Sequence, residues 1–262
     1  MGHNHPSPLP RTRKWVKVVA LIRGGAGAAQ VANATVTAAE KGLKAAPNDT
    51  GVIETIWLLM KLPFAARSDN FAEALRDCGL SVSQEPGLME IVAAVTEAID
   101  AKMPNNRGRS DLGEMAQMAA AETLTDLIGG RLSGLFDSTH EEVQKEFARL
   151  GTSKQFGIFA KDFFARFTYK ALDFFLSRTL PNHVGDGQRF QTLGQQEKFT
   201  QALDQHCRET AKILETYSGD WLKLHNFDSG GNITREMVAN FTAYAMTKLT
   251  NELRQRATPD AA

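Results

Sequence analysis

One loop of the sequence, LPNHVGDGQRF at residues 180–190, places several polar side chains among two glycines. His183 and Asp186 stand three positions apart, and a carboxylate at that spacing can orient an imidazole as a general base. The neighbouring sequence offers no nucleophile, second carboxylate or set of metal ligands, so we assign no catalytic residue to the loop. A polar turn that joins two long helices explains the same residues.

The same loop has the side chains of a protein-binding surface. Arg189 offers a planar group with several N–H donors, which suits a carboxylate or a phosphate, and Phe190 offers an apolar anchor beside it. Because a proline ends the preceding helix and the chain must then turn over the surface, we expect residues 182–190 to be exposed. The predicted partner-binding residues are therefore His183, Asp186, Arg189 and Phe190, although Phe190 alternatively folds inward against the next helix.

A second candidate is the basic segment RTRKWVK near the start of the chain. Its cations are Arg11, Arg13, Lys14 and Lys17, and Trp15 lies among them. Such cations can contact a nucleic-acid backbone while an indole stacks on a base. The alternative is a solvated arm whose tryptophan anchors it to the rest of the protein. The segment makes nucleic acid an alternative partner.

The glycine-rich stretch after this arm, IRGGAGAAQVANATV, raises the question of a nucleotide site. A dinucleotide fingerprint needs a third small residue after Gly25 and Gly27, but Gln30 occupies that position. The apolar residues before the glycines fit a helix at least as well as a strand. We therefore predict two closely packed helices, joined at Gly24 and Gly25, and no bound nucleotide.

The other titratable residues indicate no metal or cofactor site. The six histidines are dispersed, and the two cysteines, Cys78 and Cys207, stand apart without a CxxC pair. His206 lies on the apolar face of its helix and is best explained as a core residue. We predict no cofactor and no metal, and isolated cysteines of this kind are typical of a cytoplasmic protein.

The composition argues against a general attraction to polyanions or membranes. Lys plus Arg and Asp plus Glu both number 30, so the formal net charge is zero. The most apolar run, GVIETIWLLMKLPF, is interrupted by Glu54 and Lys61 and stops at Pro63. This run is shorter than the ~18 apolar residues of a membrane span, so no membrane association is predicted.

Helical periodicity runs through almost the whole chain, without a clear alternating strand. Capping signals agree with it, because Asp111 with Glu114 and Ser138 with Glu141 have the spacing of a capping box. We therefore predict an all-α fold, a multi-helix globular bundle of about ten helices. The predicted helices are 14–22, 28–43, 52–62, 70–78, 87–102, 112–130, 139–150, 154–179, 194–217 and 235–256.

The predicted helix 154–179 contains eight aromatic residues, too many for one face of a helix. We expect this helix to be central, with Phe163 and Phe167 deeply buried. The predicted organisation has four parts along the chain. These are a disordered tail (1–10), an N-terminal helical region (11–104), a C-terminal helical bundle (105–257) and a second disordered tail (258–262).

The order of several motifs resembles the B component of the Qat anti-phage systems. The motifs are FAEALRDCGLSV, SDLGEMAQMAAAETLTDLI, THEEVQKEFARL and FFARF, and the similarity covers roughly residues 70–170. The resemblance implies a helical subunit of a bacterial antiviral system. It supplies no catalytic residue. The N-terminus departs from that component, and LPNHVGDGQRF has no counterpart in it.

Three functions are compatible with these residues. The expected one is a non-enzymatic assembly or adaptor subunit of a bacterial multi-protein system, which binds other protein subunits and which the resemblance places in anti-phage defence. The second is an enzyme whose site on loop 182–190 is completed by a partner and uses His183, Asp186 and Arg189. The third is a nucleic-acid-binding module that uses the basic N-terminal arm.

Overall fold

The apolar periodicity of the sequence produces helices throughout the described part of the chain. The computed structural model describes residues 9–103, 110–132, 134, 138–229 and 232–256. Within these ranges the predicted all-α fold is confirmed, and the only β-pairing is an isolated bridge between Val184 and Phe190. The α-helices are α1 (Arg13–Arg23), α2 (Ala28–Leu43), α3 (Thr50–Ala65), α4 (Phe71–Asp77), α5 (Leu88–Lys102), α6 (Asp111–Gly129), α7 (His140–Arg149), α8 (Ser153–Leu176), α9 (Leu193–Ala211), α10 (Ile213–Ser229) and α11 (Arg235–Gln255). Short 3-10 helices lie at Ala46–Asn48 and Leu180–His183.

Polar side chains fix the start of most helices by accepting a backbone N–H of the first turn. These capping residues are Asp49, Asn70, Ser110, Thr139, Thr152, Thr192 and Thr234. Both predicted capping boxes are wrong by one residue. Ser110, and not Asp111, caps α6, and its side chain accepts the Gly113 N–H at 2.9 Å. At α7 the predicted box was Ser138 with Glu141. Thr139 and Glu142 form it instead, with reciprocal bonds of 3.3 and 3.1 Å. Ser and Thr are adjacent here, as are the two glutamates, so the sequence allows both registers.

Helix α8 is the centre of the fold, as its aromatic content predicts. It packs against α2, α6, α9 and α10. Phe163 and Phe167 are buried, and their rings stack with centroids 6.0 Å apart. The Phe164 ring packs against the ring of Phe241 in α11, with centroids 5.9 Å apart. The aromatic side chains of α8 therefore reach several helices at once.

Helix α10 approaches α8 closely because glycines lie at the contact. A Cβ atom on Gly157 would collide with the backbone of Glu215, and a Cβ on Gly219 would collide with the backbone of Ser153. Glycine has no side chain, so the two backbones can come together at these points.

Helices α1 and α2 form a hairpin that is joined by glycines, as predicted. Gly25 has a φ of +78°, in the left-handed region that glycine adopts without strain. The Ala26 N–H donates to the Leu21 carbonyl at 3.0 Å and closes the end of α1. This segment is a helix–turn–helix connection and not the strand–turn–helix of a dinucleotide site.

The predicted helix 194–217 is wrong. Helix α9 ends at Ala211, and α10 begins at Ile213 and continues to Ser229. At the break, the Lys212 N–H donates to the Glu209 carbonyl, which is the tighter spacing of a 3-10 turn. No proline or glycine marks this change of direction, so the sequence pattern does not reveal it.

Helix α11 packs on α2, α3 and the 3-10 helix at Ala46–Asn48. Its buried residues include Val238, Ala245 and Leu249. No helix among the described residues is long and apolar enough to cross a membrane. The predicted tails fall largely outside the described residues, at 1–8 and 257–262.

Candidate functional site

The loop at residues 180–190 directs two of its predicted binding residues inward, although residues 181–182 and 186–188 are exposed. His183 is 3% exposed and Phe190 is 4% exposed, so the expectation that these two residues are accessible is wrong. The Phe190 N–H donates to the His183 carbonyl at 3.0 Å, and the Phe190 ring lies 5.6 Å from the ring of Phe199. The loop closes on itself and buries its apolar side chain against α9, as in the inward-folded alternative.

Arg189 is engaged within the chain. Its guanidinium donates to the Ile22 carbonyl at 3.0 Å and to the Ala26 carbonyl at 2.5 Å. It also lies over the rings of Phe190 and Phe199, at 4.9 and 4.6 Å from their centroids. Arg189 therefore satisfies carbonyl groups at the end of α1, and the expectation that it offers a free head to a carboxylate or phosphate is wrong.

The surroundings of His183 favour its neutral form. Burial lowers the pKa of His183, and the charges of Arg23 and Arg189 lower it further. Its imidazole lies 3.5 Å from the Thr179 hydroxyl. Asp186 is exposed, as expected. The loop thus leaves Asp186 on the surface, while His183 contributes to the core.

The basic arm is anchored by its tryptophan. Trp15 is 5% exposed, and its indole packs on Phe175 with ring centroids 4.6 Å apart. The anchoring alternative is therefore confirmed, and an indole that is free to stack on a base is excluded. The cations of the arm are exposed, namely Arg11, Arg13, Lys14 and Lys17.

Positive charge is concentrated in the first two helices and their flanks. Residues 9–48 contain seven lysines and arginines and a single acidic residue, Glu40, in a chain of zero net charge. The cations are Arg11, Arg13, Lys14, Lys17, Arg23, Lys41 and Lys44. The rest of the chain consequently carries an excess of acidic residues, and the protein is electrostatically polarised.

Three of the cations around α2 share the carboxylate of Glu40. Its oxygens lie 3.0 Å from Lys44 Nζ, 3.2 Å from Arg254 Nη2 and 3.7 Å from Lys14 Nζ. Hydrogen bonds from Lys44 and Arg254, together with their charges, lower the pKa of Glu40 to about 2. This cluster therefore has two more positive than negative charges at neutral pH.

Beside the Glu40 cluster, α2 and α11 enclose a surface groove of about 440 Å³, which we call the α2–α11 groove. Its apolar lining residues are Leu43, Pro47, Ala243 and Met246. Its polar lining residues are Glu40, Lys44, Thr247, Thr250, Asn251 and Arg254. The side chain of Lys44 is 75% exposed and that of Arg254 is 34% exposed, so both cations can be reached from solvent.

A smaller depression of about 240 Å³, lined in part by Leu21 and Ala34, continues this surface between α1 and α2. Lys14 and Lys17 line it together with Gln30, Asn33 and Thr37. The Asn33 amide donates to the Arg254 carbonyl at 3.2 Å and ties α2 to α11. We call the cationic residues Lys14, Lys17, Lys44 and Arg254 the basic edge.

A second cluster of charges joins α6, α8 and α9, and we call it the α6–α9 clamp. Its cations are Arg166, Lys170 and Arg208, and its carboxylates are Glu122, Asp126, Asp162 and Asp204. Arg166 lies 2.7 Å from Asp126 and 2.8 Å from Asp162. Tyr169 lines a surface depression together with residues of this clamp. Burial raises the pKa of Tyr169 to about 12, so it is protonated at neutral pH.

No group of three His, Cys, Asp or Glu side chains comes close enough to hold a metal ion within the described ranges.

Comparison with known proteins finds no match, because no family model fits the chain and no curated protein or solved structure is significantly similar to it. We therefore infer function from the residues of the surface itself.

The sequence-based predictions missed Glu40, Met246 and Arg254 as candidate site residues. The two sides of the groove come from opposite ends of the chain, since Asn33 and Arg254 are bonded across 221 positions. The charge imbalance of residues 9–48 was the available signal, because it marks α1 and α2 as a cationic surface.

Proposed function

We propose that the chain is a non-enzymatic assembly subunit that binds another protein subunit through the α2–α11 groove. The observation that carries this proposal is a surface groove whose lining combines apolar residues with the solvent-accessible cations Lys44 and Arg254. Protein interfaces combine these features, because an apolar centre supplies most of the affinity and a polar rim sets the orientation.

The partner contributes a segment with an apolar side chain that enters the groove beside Ala243 and Met246. Ala243 is exposed and small, so it leaves room for such a side chain. Complete burial of one Val, Leu, Ile, Phe or Met side chain stabilises a complex by about 1.5–3 kcal/mol. In the setting that the resemblance to the Qat B component implies, the partner is another subunit of a bacterial antiviral system.

The contacts of loop 180–190 favour this role over an enzyme built on that loop. The N–H groups of Arg189 bond to Ile22 and Ala26, and His183 is buried. Both side chains are engaged within the chain, whereas Lys44, Ala243 and Thr247 of the groove are exposed.

Co-expression with the products of adjacent genes tests the proposal, with groove-filling variants of the full chain. Ala243→Trp fills the groove without changing charge. Ala93→Trp is the matched control, because Ala93 is an exposed alanine on α5, and α5 packs against α3 and α6. Both variants should melt like the parent, since both positions are exposed.

Ala243→Trp should weaken the complex with a neighbouring gene product by about tenfold or more, which corresponds to the loss of one buried apolar side chain. Ala93→Trp should leave the affinity unchanged. A complex that withstands Ala243→Trp, or the absence of any complex with these gene products, would contradict the proposal.

A further inference from the structure

The charges around the α2–α11 groove indicate what kind of segment it binds. We propose that the partner segment is acidic, with carboxylates that contact Lys44, Arg254 and Lys14 while an apolar side chain enters the groove. This inference rests on the proposed assembly function and deepens it.

The surplus of cations carries the proposal. Lys14, Lys44 and Arg254 all lie within 3.7 Å of the one carboxylate of Glu40, which neutralises only one of them. A carboxylate from a partner therefore meets an uncompensated positive field at the edge of the groove. Complementary charges of this kind accelerate encounter and discriminate against neutral or basic partners.

The positions of the cations also match the apolar lining. Lys44 and Arg254 both line the groove itself, next to Leu43 and Met246. A segment that places one apolar side chain in the groove thus brings its neighbouring side chains to these two cations. An amphipathic acidic segment satisfies both parts of the surface in a single docked position.

A protein segment fits this surface better than a nucleic acid. A phosphate backbone would neutralise the basic edge, but it would leave the apolar groove uncovered. Binding of single strands commonly also uses aromatic side chains on which bases stack, and Trp15, the aromatic residue of the arm, is buried against Phe175.

Glu40 limits the affinity for an acidic partner. It is the carboxylate nearest to the three cations, and its low pKa keeps it ionised at neutral pH. Replacement of Glu40 by Gln removes this competing charge and preserves the size of the side chain. The structure therefore predicts tighter binding of an acidic segment by the Glu40→Gln variant.

Peptide selection on the full chain tests the inference with ligands of random sequence in place of the natural partner. A phage-displayed library of random peptides of about 16 residues, long enough for several turns of helix, is selected on the parent chain. Binders that also bind the Ala243→Trp variant are removed, so that the remaining peptides depend on the groove. A DNA duplex of about 20 base pairs serves as a polyanion without apolar side chains.

The remaining peptides should carry more Asp and Glu than Lys and Arg around an apolar residue. Lys44→Glu and Arg254→Glu should each weaken their binding by about three- to tenfold, and Glu40→Gln should strengthen it by about threefold at low salt. Lys154→Glu, at an exposed position on α8, is the control for charge reversal and should have little effect.

Three results separate the ways in which the inference can fail. This inference would be overturned, and the assembly function left intact, by either of two outcomes. The groove-dependent peptides would carry no excess of acidic residues, or their affinities would not change in the Lys44→Glu and Arg254→Glu variants. Duplex binding that requires Lys44 and Arg254, together with no selected peptides, would replace the acidic segment by a nucleic acid. The absence of any ligand that distinguishes Ala243→Trp from the parent would overturn the docking groove and this inference with it.

Discussion

The α6–α9 clamp and the Glu40 cluster, which contains Lys14, Lys44 and Arg254 of the basic edge, both consist of ion pairs, but their charge ratios differ. In the clamp, three cations face four carboxylates contributed by α6, α8 and α9. In the Glu40 cluster, three cations face one carboxylate. The clamp has one carboxylate in excess, whereas the Glu40 cluster has two cations in excess, and this larger surplus attracts an external group of negative charge.

The two clusters also differ in their solvent exposure. The Arg166 side chain in the clamp is 12% exposed, whereas the Lys44 side chain at the basic edge is 75% exposed. Exposed pairs contribute little to stability, whereas removing one partner of a buried pair leaves an uncompensated charge and destabilises the fold. We therefore assign the clamp to stability and the basic edge to binding, and four measurements can break or sharpen this division.

The largest expected effect lies in the core beneath the clamp. Phe167→Ala should destabilise the protein by about 3–5 kcal/mol, because it removes a fully buried ring from α8. Urea unfolding followed by circular dichroism measures the change. Ala243→Trp at the groove should leave the urea midpoint of unfolding unchanged within experimental error. A parent-like midpoint for Phe167→Ala would contradict the central position of α8.

The charged clusters should respond differently to the loss of one arginine. Arg166→Ala should cost about 1–3 kcal/mol, since it leaves Asp162 and Asp126 without their closest cation. Arg254→Ala should change stability by no more than about 0.5 kcal/mol, because its ion pair with Glu40 is partly exposed. Equal costs in the same urea experiment would erase the distinction between the two clusters.

The helical fold was predictable from local signals, and the exceptions have local causes. The aromatic content of α8 indicated its central position because no single helix face can bury eight aromatic residues. The change of helix at Lys212 escaped prediction, since the apolar pattern continues across it and no Pro or Gly interrupts it.

The candidate site was less predictable because long-range contacts define it. Arg189 has the side chain of a binding residue, but its partners are the Ile22 and Ala26 carbonyls, more than 160 positions away. Phe190 packs against Phe199, which is the inward-folded alternative that the sequence leaves open. The α2–α11 groove needs both ends of the chain, so residue types and spacing alone do not reveal it.

The smallest expected effect concerns the titration of Glu40. Its carboxyl carbon should titrate near pH 2 by NMR, well below the ordinary value of 4.5. Since the folded-state pKa is lowered, the ionised Glu40 stabilises the fold above about pH 4.5, and this contribution is lost as the pH falls towards 2.

Removal of the cations should reverse the shift. In the Lys44→Ala, Arg254→Ala double variant the midpoint should move up towards 4.5, because the hydrogen bonds and charges that lower the pKa are gone. A parent midpoint already near 4.5 would show that Lys44 and Arg254 do not pair with Glu40 in solution.

Hydrogen exchange of the complex with the co-purified partner tests the docking surface most directly. Partner binding should slow amide exchange in peptides that cover residues 40–47 and 243–254, which form the two sides of the α2–α11 groove. Peptides that cover the loop 182–190 and the clamp should exchange as in the free protein. Protection of the amides at 182–190, with no change at 40–47 and 243–254, would contradict the proposed groove and would indicate that the partner binds the loop.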